Sequence, residues 1–350
     1  MKFVTFQHGS FIRLGVLERG AFYDLTSLDG VVRSLTSTVL SSRAMQTLAA
    51  CSPVTFRDML SFLRVWGALG PSLLELTREM MDALQQDRIP AEFQGAPLQF
   101  SEREIKLLSP LPRPSSLRDG YAFRQHVETM RRNRGMEMVP EFDHFPVFYF
   151  GNHQSVVGPG DFYVQPWHLD QLDYELEAAI VIGREGMNIS ADQADSYIFG
   201  FVIMNDMSAR ALQREEMKLS LGPAKGKDFG TVLGPAIVTP DELADRTQAT
   251  PQGNRYQLAM KAEVNGAVLS QGNLDSMNWT FAQIIERASY GVMLYPGDVI
   301  GSGTVGTGCL AELNSSKITD NLWLRPGDRV RLEIDRLGVL ENTIMLRGEA

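Results

Sequence analysis

The chain has 350 residues, 44% of them hydrophobic, with 31 glycines and 17 prolines. That length can bury a full core, and the even spread of glycine and proline excludes a low-complexity or repeat architecture. A formal net charge of −9 speaks against a nucleic-acid surface, which needs clustered Lys and Arg, and no apolar run is long enough to span a bilayer.

The N-terminal stretch "MKFVTFQHGSFIRLG" alternates like a strand and lacks the apolar core of a signal peptide. Cys51 and Cys309 form no disulfide or metal pattern, so the expectation is a cytoplasmic protein. "KFVTF", "RLGVLE" and "AFYDL" predict short strands between glycine-containing turns. From about residue 35 to 87 the period becomes helical. It is clearest in "PSLLELTREMMDALQQ", where Pro71 suits a first turn and Leu73, Leu76, Met80 and Leu84 share a face. The proline-rich "RIPAEFQGAPLQFSEREIKLLSPLPRPSS" predicts an extended linker. The organisation expected is a small N-terminal α+β domain with linker over residues 1–100 and a second, larger domain over 101–350.

The larger part is dominated by strand-like runs such as "ELEAAIVIG", "IFGFVIMND", "LAMKAEVNG", "GDVIGSGT" and "DRVRLEI". Helices are predicted in "SADQADSYI", through a Ser190 and Gln193 capping box, and in "SARALQREEM" and "WTFAQIIERAS". The fold class is therefore α+β, mainly β.

In "LDYELEAAIVIG", residues 172–183, a strand puts Asp173, Glu175 and Glu177 on one face, because side chains alternate with period two. Like charges so close destabilise a sheet unless a cation lies between them. Two readings stay open, a hard divalent ion such as Mg²⁺ or Ca²⁺, and a solvent-facing acidic edge. "YIFGFVIMNDMSARALQ" ends a second apolar run in Asp206, which either joins the carboxylates or caps the next helix, where Arg210 and Gln213 share a face. The glycine-rich "LGPAKGKDFGTVLGP" and "GDVIGSGTVGTG" either admit a ligand close to the backbone or merely turn, and the first lacks Walker A order. His8 lies in the first strands, while His126, His144, His153 and His168 precede the acidic strand without zinc spacing, so one could serve as a general base. "RRNR" at 131–134 is a solvated loop or an anchor for an anionic substrate.

"LDYELE", "NDMSARALQ", "LGPAKGKDFGTVLGP" and "GDVIGSGTVGTG", in this order and at these separations, resemble the fumarylacetoacetate hydrolase family over about residues 105–345. The N-terminal part resembles the small domain of its longer members. The resemblance implies a C-terminal mixed β-sandwich roll, a homodimer, and a Mg²⁺ or Ca²⁺ site on an E-x-E pair and a later Asp, here Glu175, Glu177 and Asp206. It implies Asp119 as a fourth ligand, because in "RDGYAFRQH" this residue precedes His126 by the family's spacing. Glu312, in "GCLAEL", would pair with His126, which takes a proton from water to cleave a C–C bond in a chelated β-diketone or 2,4-dioxo acid. Arg210, Gln213 and Lys227 match residues that stabilise the oxyanion and the departing carbanion. Tyr121, Tyr149 and Thr304 would contact substrate, and Thr231 lies beside the lysine loop.

The family's carboxylate-anchoring arginine is Gly135 here, with Arg131, Arg132 and Arg134 near enough to substitute, which adds Arg134 to the substrate set. A tyrosine after the "SARxxQ" helix is also missing, since that region reads "REEMKLS". Shorter family members use His-x-x-Glu on a lid helix, but "HVETM" puts Glu128 only two residues after His126, which favours Glu312 as the partner. Cys309, just before Glu312, lines the site or is a small buried thiol. The reading is a metal-dependent hydrolase of a 2-oxo or diketo acid. Decarboxylation, hydration or isomerisation on the same chelate, and a catalytically silent metal-binding scaffold, are the alternatives.

Overall fold

The computed structural model describes residues 1–35 and 39–348. Apolar alternation builds an antiparallel meander of β1 (Lys2–His8), β2 (Phe11–Glu18) and β3 (Ala21–Asp24). Asp24 then caps α1 (Leu25–Ser34), its carboxylate accepting from the Ser27 amide at 3.0 Å. This helix begins earlier than the sequence period suggested, because Thr26, Gly30, Val31 and Val32 all weaken its local signal. After α2 (Ser42–Ala50) and α3 (Met59–Leu69), α4 (Pro71–Gln85) starts at its proline and buries Leu73, Leu76, Met80 and Leu84 as predicted. The proline-rich stretch that follows is packed against the meander. Gln99–Phe100 pairs with β3 and Lys106–Leu107 with β1, which buries Leu98 and Phe100.

The rest of the chain adds β4 (Ser116–Gly120), α5 (Arg124–Arg132), β5 (Phe148–Gly151), β6 (Gly160–Val164), β7 (Leu172–Asp173), β8 (Leu176–Ile182) and α6 (Ala191–Ala194). Next come β9 (Ile198–Asp206), β10 (Ser208–Ala209), α7 (Arg210–Met217), β11 (Thr231–Val238), β12 (Ala259–Val264) and β13 (Ala267–Asn273). The chain closes with α8 (Phe281–Ala288), β14 (Asp298–Gly301), α9 (Leu310–Ser315), β15 (Arg329–Ile334) and β16 (Gly338–Leu346). One twelve-stranded sheet runs β3-β2-β1-β11-β9-β8-β14-β4-β5 along its main path, with Gln99–Phe100 beyond β3. A five-stranded sheet runs β6-β16-β15-β12-β13.

The large sheet is buried on both faces, so β8 and β9 read as continuous apolar runs. Leu176, Ala178, Ile180 and Ile182 of β8 join the core shared with β12, β15 and β16. Ala179 and Val181 turn the other way, into the core shared with α1–α4. There Phe3, Phe62 and Phe199 meet with ring centroids 4.9–6.0 Å apart, which locks α3 to the sheet. The chain is thus mixed α and β with large β sheets. Among the described residues no helix is long and apolar enough to cross a membrane.

Candidate active site

Strand direction gathers the acids. β8 pairs antiparallel with both β9 and β14, with Leu176 opposite Asn205 and Ala179 opposite Gly301. The start of β8 therefore lies beside the ends of β9 and β14. β4 runs parallel to β14 and sets Asp119 opposite Gly301, while Asp206 faces Thr231 at the start of β11. Glu177, Asp206 and Asp119 consequently emerge at one end of the sheet, on the face that Ala179, Met204 and Leu117 present to the helix-side core.

The predicted single strand over 172–181 is interrupted. Asp173 ends β7, which pairs with Ser208 of β10, and β8 starts anew at Leu176. Glu175 sits in the break, its amide bound by Asn205 Oδ1 at 3.0 Å. Asp173, Glu175, Glu177, Asp206 and Asp119 are all buried, and the acids touch two buried cations, Arg210 and Lys227. Arg210 Nη2 donates to Glu175 at 2.7 Å and its Nη1 to Gln213 Oε1 at 3.1 Å, as their spacing on α7 anticipated. Lys227 Nζ bridges Glu175 and Asp206, 2.6 Å from the latter, and the Tyr149 hydroxyl also donates to Asp206.

This leaves Asp119 and Glu177 short of positive charge. Burial first, then the neighbouring Asp206 carboxylate, pushes the Asp119 carboxyl up to about 8. Burial and the Asp119 carboxylate likewise hold Glu177 well above the usual range. Glu175 is the exception, because Lys227 and Arg210 overcome its burial and bring it down to about 2. Against the cost of burying a cation, Asp206 and Glu175 keep the Lys227 ammonium charged.

Carboxylate oxygens of Asp119, Glu175 and Glu177 lie within 4.8 Å of one another. Glu177 Oε1 accepts from Thr304 at 3.2 Å, but its buried Oε2 has no donor among the described residues. Gly301 leaves the space they need, since a Cβ there would stand 2.4 Å from Asp119 Oδ1 and 3.2 Å from Glu177 Oε2. Hard oxygen donors, excess negative charge and an unpartnered buried oxygen fit a divalent cation such as Mg²⁺, Mn²⁺ or Ca²⁺. Asp206 borders this trio, with its Oδ2 engaged by Lys227 and Tyr149.

His126, on α5, is buried, and its Nδ1 lies 2.6 Å from Glu312 Oε2 of α9. The Thr307 amide also donates to that oxygen, at 2.9 Å. Glu128 points elsewhere and binds Arg124 at 2.7 Å. Tyr121 stands at the rim, 38% exposed, with its ring edge-on to His126 at 6.1 Å. Burial pushes the Tyr121 hydroxyl up, and the positive charges of Arg134 and Arg131 oppose that push. Cys309 is fully buried, and burial drives its thiol well above the usual range, in keeping with an inert packing role.

The residue missed from sequence is Asp173. Its Oδ2 accepts from Arg210 Nε at 2.8 Å and the Ala311 amide at 3.0 Å, and its Oδ1 from the Leu310 amide at 2.7 Å. Period two gave only its face. The turn that redirects it had no local signal.

Residues 116–345 match the family model described as fumarylacetoacetate (FAA) hydrolase C-terminal. Oxaloacetate tautomerase YisK of Bacillus subtilis (strain 168) is 32% identical over 252 residues, 70% of this chain and 75% of that protein. The mitochondrial oxaloacetate tautomerase Fahd2a of Rattus norvegicus is 34% identical over 203 residues, 57% of this chain and 59% of that protein, less than two thirds of its length. Among solved structures, maleylpyruvate hydrolase from Sphingobium sp. SYK-6, in complex with manganese(II) ion and pyruvate, shares the fold with a TM-score of 0.66 at 20% identity, covering 99% of this chain and 100% of that one. With the family model spanning most of the chain and the strand ends gathering its motifs, the chain belongs to the fumarylacetoacetate hydrolase family as an enzyme of that superfamily.

Proposed function

We propose that this enzyme acts on enolisable 2-oxo acids with a divalent cation, and that His126, held by Glu312, moves the proton. The 2.6 Å contact between these two residues, beside a buried acidic cluster, carries the reading. The relatives named oxaloacetate tautomerases favour keto–enol exchange of an oxaloacetate-like acid. Cleavage of a 2,4-dioxo acid, which the sequence motifs favour, uses the same pair on water and is the second reading.

Asp119, Glu175 and Glu177, with Asp206 alongside, would hold the cation, which when bound supplies a Lewis acid for the paired oxygens of a 2-oxo carboxylate. Glu312 accepts the Nδ1 proton of His126 and so leaves Nε2 as the basic nitrogen. In tautomerisation Nε2 carries a proton between the carbon beside the ketone and the enol oxygen, and in hydrolysis it takes one from the water that adds to the carbonyl carbon and returns it to the departing carbon. Arg210 and Lys227 set positive charge next to Glu175, where a developing oxyanion is stabilised, and Gln213 steadies Arg210. Tyr121, at the rim, and Arg134, whose charge acts on it, suit the distal anionic end of the substrate, and Tyr149 and Thr304 steady Asp206 and Glu177. The same reading carries a cytoplasmic homodimer, whose mass in light scattering is the check.

The experiment offers purified protein and Mn²⁺ or Mg²⁺ both enol-oxaloacetate and an acylpyruvate. Enol loss without pyruvate release is the expected result. Acylpyruvate cleavage would transfer the assignment to hydrolysis, carbon dioxide release from oxaloacetate would transfer it to decarboxylation, and inertness towards both acids would sink the proposal.

The cluster also sets a pH signature. A carboxyl raised in the folded state, like Asp119 at about 8 against 3.8, contributes stability that is present below the lower value and lost as pH rises through the higher one. A bound cation needs that carboxylate ionised and removes the penalty. The rise in Tm on adding Mn²⁺ is therefore expected to be larger at about pH 8.5 than at about pH 5.5. Equal shifts at both would contradict the ligand assignment.

A further inference from the structure

Asp173 touches neither the candidate cation ligands nor His126, yet both halves of the site close on it. Its Oδ2 receives Arg210 Nε at 2.8 Å, and Arg210 in turn binds Glu175 at 2.7 Å. The same carboxylate receives the Leu310 and Ala311 amides at 2.7 and 3.0 Å, and these open the short helix whose next residue is Glu312. Three donors converge on two oxygens with no exposure to solvent, so none can be replaced by bulk water. The other end of α9 is tied to the end of α5 through Asn133 Nδ2, 2.9 Å from Ser315 and 3.0 Å from Ser316. Glu312 is thus held from both ends of its helix, and only the Asp173 end is shared with the arginine of the acidic cluster.

We propose that Asp173 is a positioning residue that fixes the separation between the Arg210 guanidinium and the Glu312–His126 pair, so that the charge stabiliser and the base address one substrate. Asp suits the task because each oxygen must accept. An Asn in its place presents an NH₂ to at least one buried N–H and cannot satisfy all three donors. Loss of the anchor frees Arg210 to lie wholly on Glu175 and loosens the first turn of α9, which carries Glu312.

The proposal rests on the proton-transfer reading given above, and the test separates the two. D173N is compared with wild type in the presence of Mn²⁺, with ion stoichiometry from calorimetry counting folded sites. The expected result is a fall in kcat of about 10–100-fold per ion-binding site with KM changed far less. In an E312Q background the same substitution is expected to cost at most a few-fold, because the pathway through Glu312 is already broken. A merely structural Asp173 would lower Tm and the number of competent sites while leaving kcat per site intact, or would cost the same factor in both backgrounds. Either result overturns the proposal.

Should wild type turn over none of the 2-oxo acids, the function assigned above fails, and the linkage is then decided by proton NMR. The low-field Nδ1 proton of His126, assigned by its loss in E312Q, is expected to move upfield or broaden by exchange in D173N. An unmoved resonance overturns the linkage. If D173N does not fold, D173S, whose hydroxyl keeps one acceptor and leaves room for a water, undergoes the same comparisons.

Discussion

His126→Asn is expected to lower turnover by about 10²–10⁴-fold while leaving KM and divalent-ion affinity close to wild type. The imidazole is bound to Glu312 and lies outside the carboxylate trio, so its loss removes the base without opening the cluster. Asparagine keeps an N–H donor for the buried Glu312, which avoids stranding that carboxylate as alanine would. Steady-state kinetics on the better of the two substrates, with calorimetric titration of Mn²⁺, is the measurement. Activity within tenfold of wild type would remove His126 from the reaction.

Glu177→Gln should be more severe in activity and opposite in sign for the metal-free protein. A neutral amide gives the cation one charge fewer, and loss of Lewis-acid stabilisation worth several kcal/mol corresponds to about a thousandfold or more in kcat/KM. In the metal-free chain, however, Glu177 is disfavoured as an anion by burial and by Asp119. Glutamine is neutral without taking up a proton, so the cost of protonating this carboxyl on folding disappears, and metal-free E177Q should melt at the same temperature as wild type or higher at neutral pH, yet gain little when Mn²⁺ is added. Scanning calorimetry with and without the ion reads both effects. A variant that is destabilised without metal, or that retains the full metal-dependent shift, would contradict the assignment.

The site was legible in sequence where its members end apolar runs. Glu175 and Glu177 stand at the start of one continuously buried strand and Asp206 at the end of another, Arg210 opens the next helix, and Lys227 lies in the glycine-rich loop beyond it. Asp119 and Glu312 were reached only through family spacing, since no local period announces that β4 lies parallel to β14, or that α5 meets α9 across 186 positions. Short elements failed for local reasons. The Ser190 and Gln193 capping box does not form its side-chain bond, because α6 is a single turn running into 3-10 geometry. Asp173 was illegible because its role follows from a break in the strand and from a contact 137 positions away.

Pairing of β1 with β11 has a consequence for how the chain is made. Lys2 faces Val238 and Phe3 faces Ile237, so β1, already paired with β2, meets this second partner only after most of the chain that follows it has been translated. At about 5–20 residues per second, that delay is on the order of ten seconds or more. Through that interval the Lys2–Phe3 end of the β1 edge stays unpaired, since Lys106–Leu107 pairs only with Phe6 and Gln7, and the Phe3 ring has Phe62 but not Phe199, which is also still to come. Recovery of soluble protein should accordingly follow growth temperature and chaperone supply, and be indifferent to substitutions such as His126→Asn that leave this edge untouched.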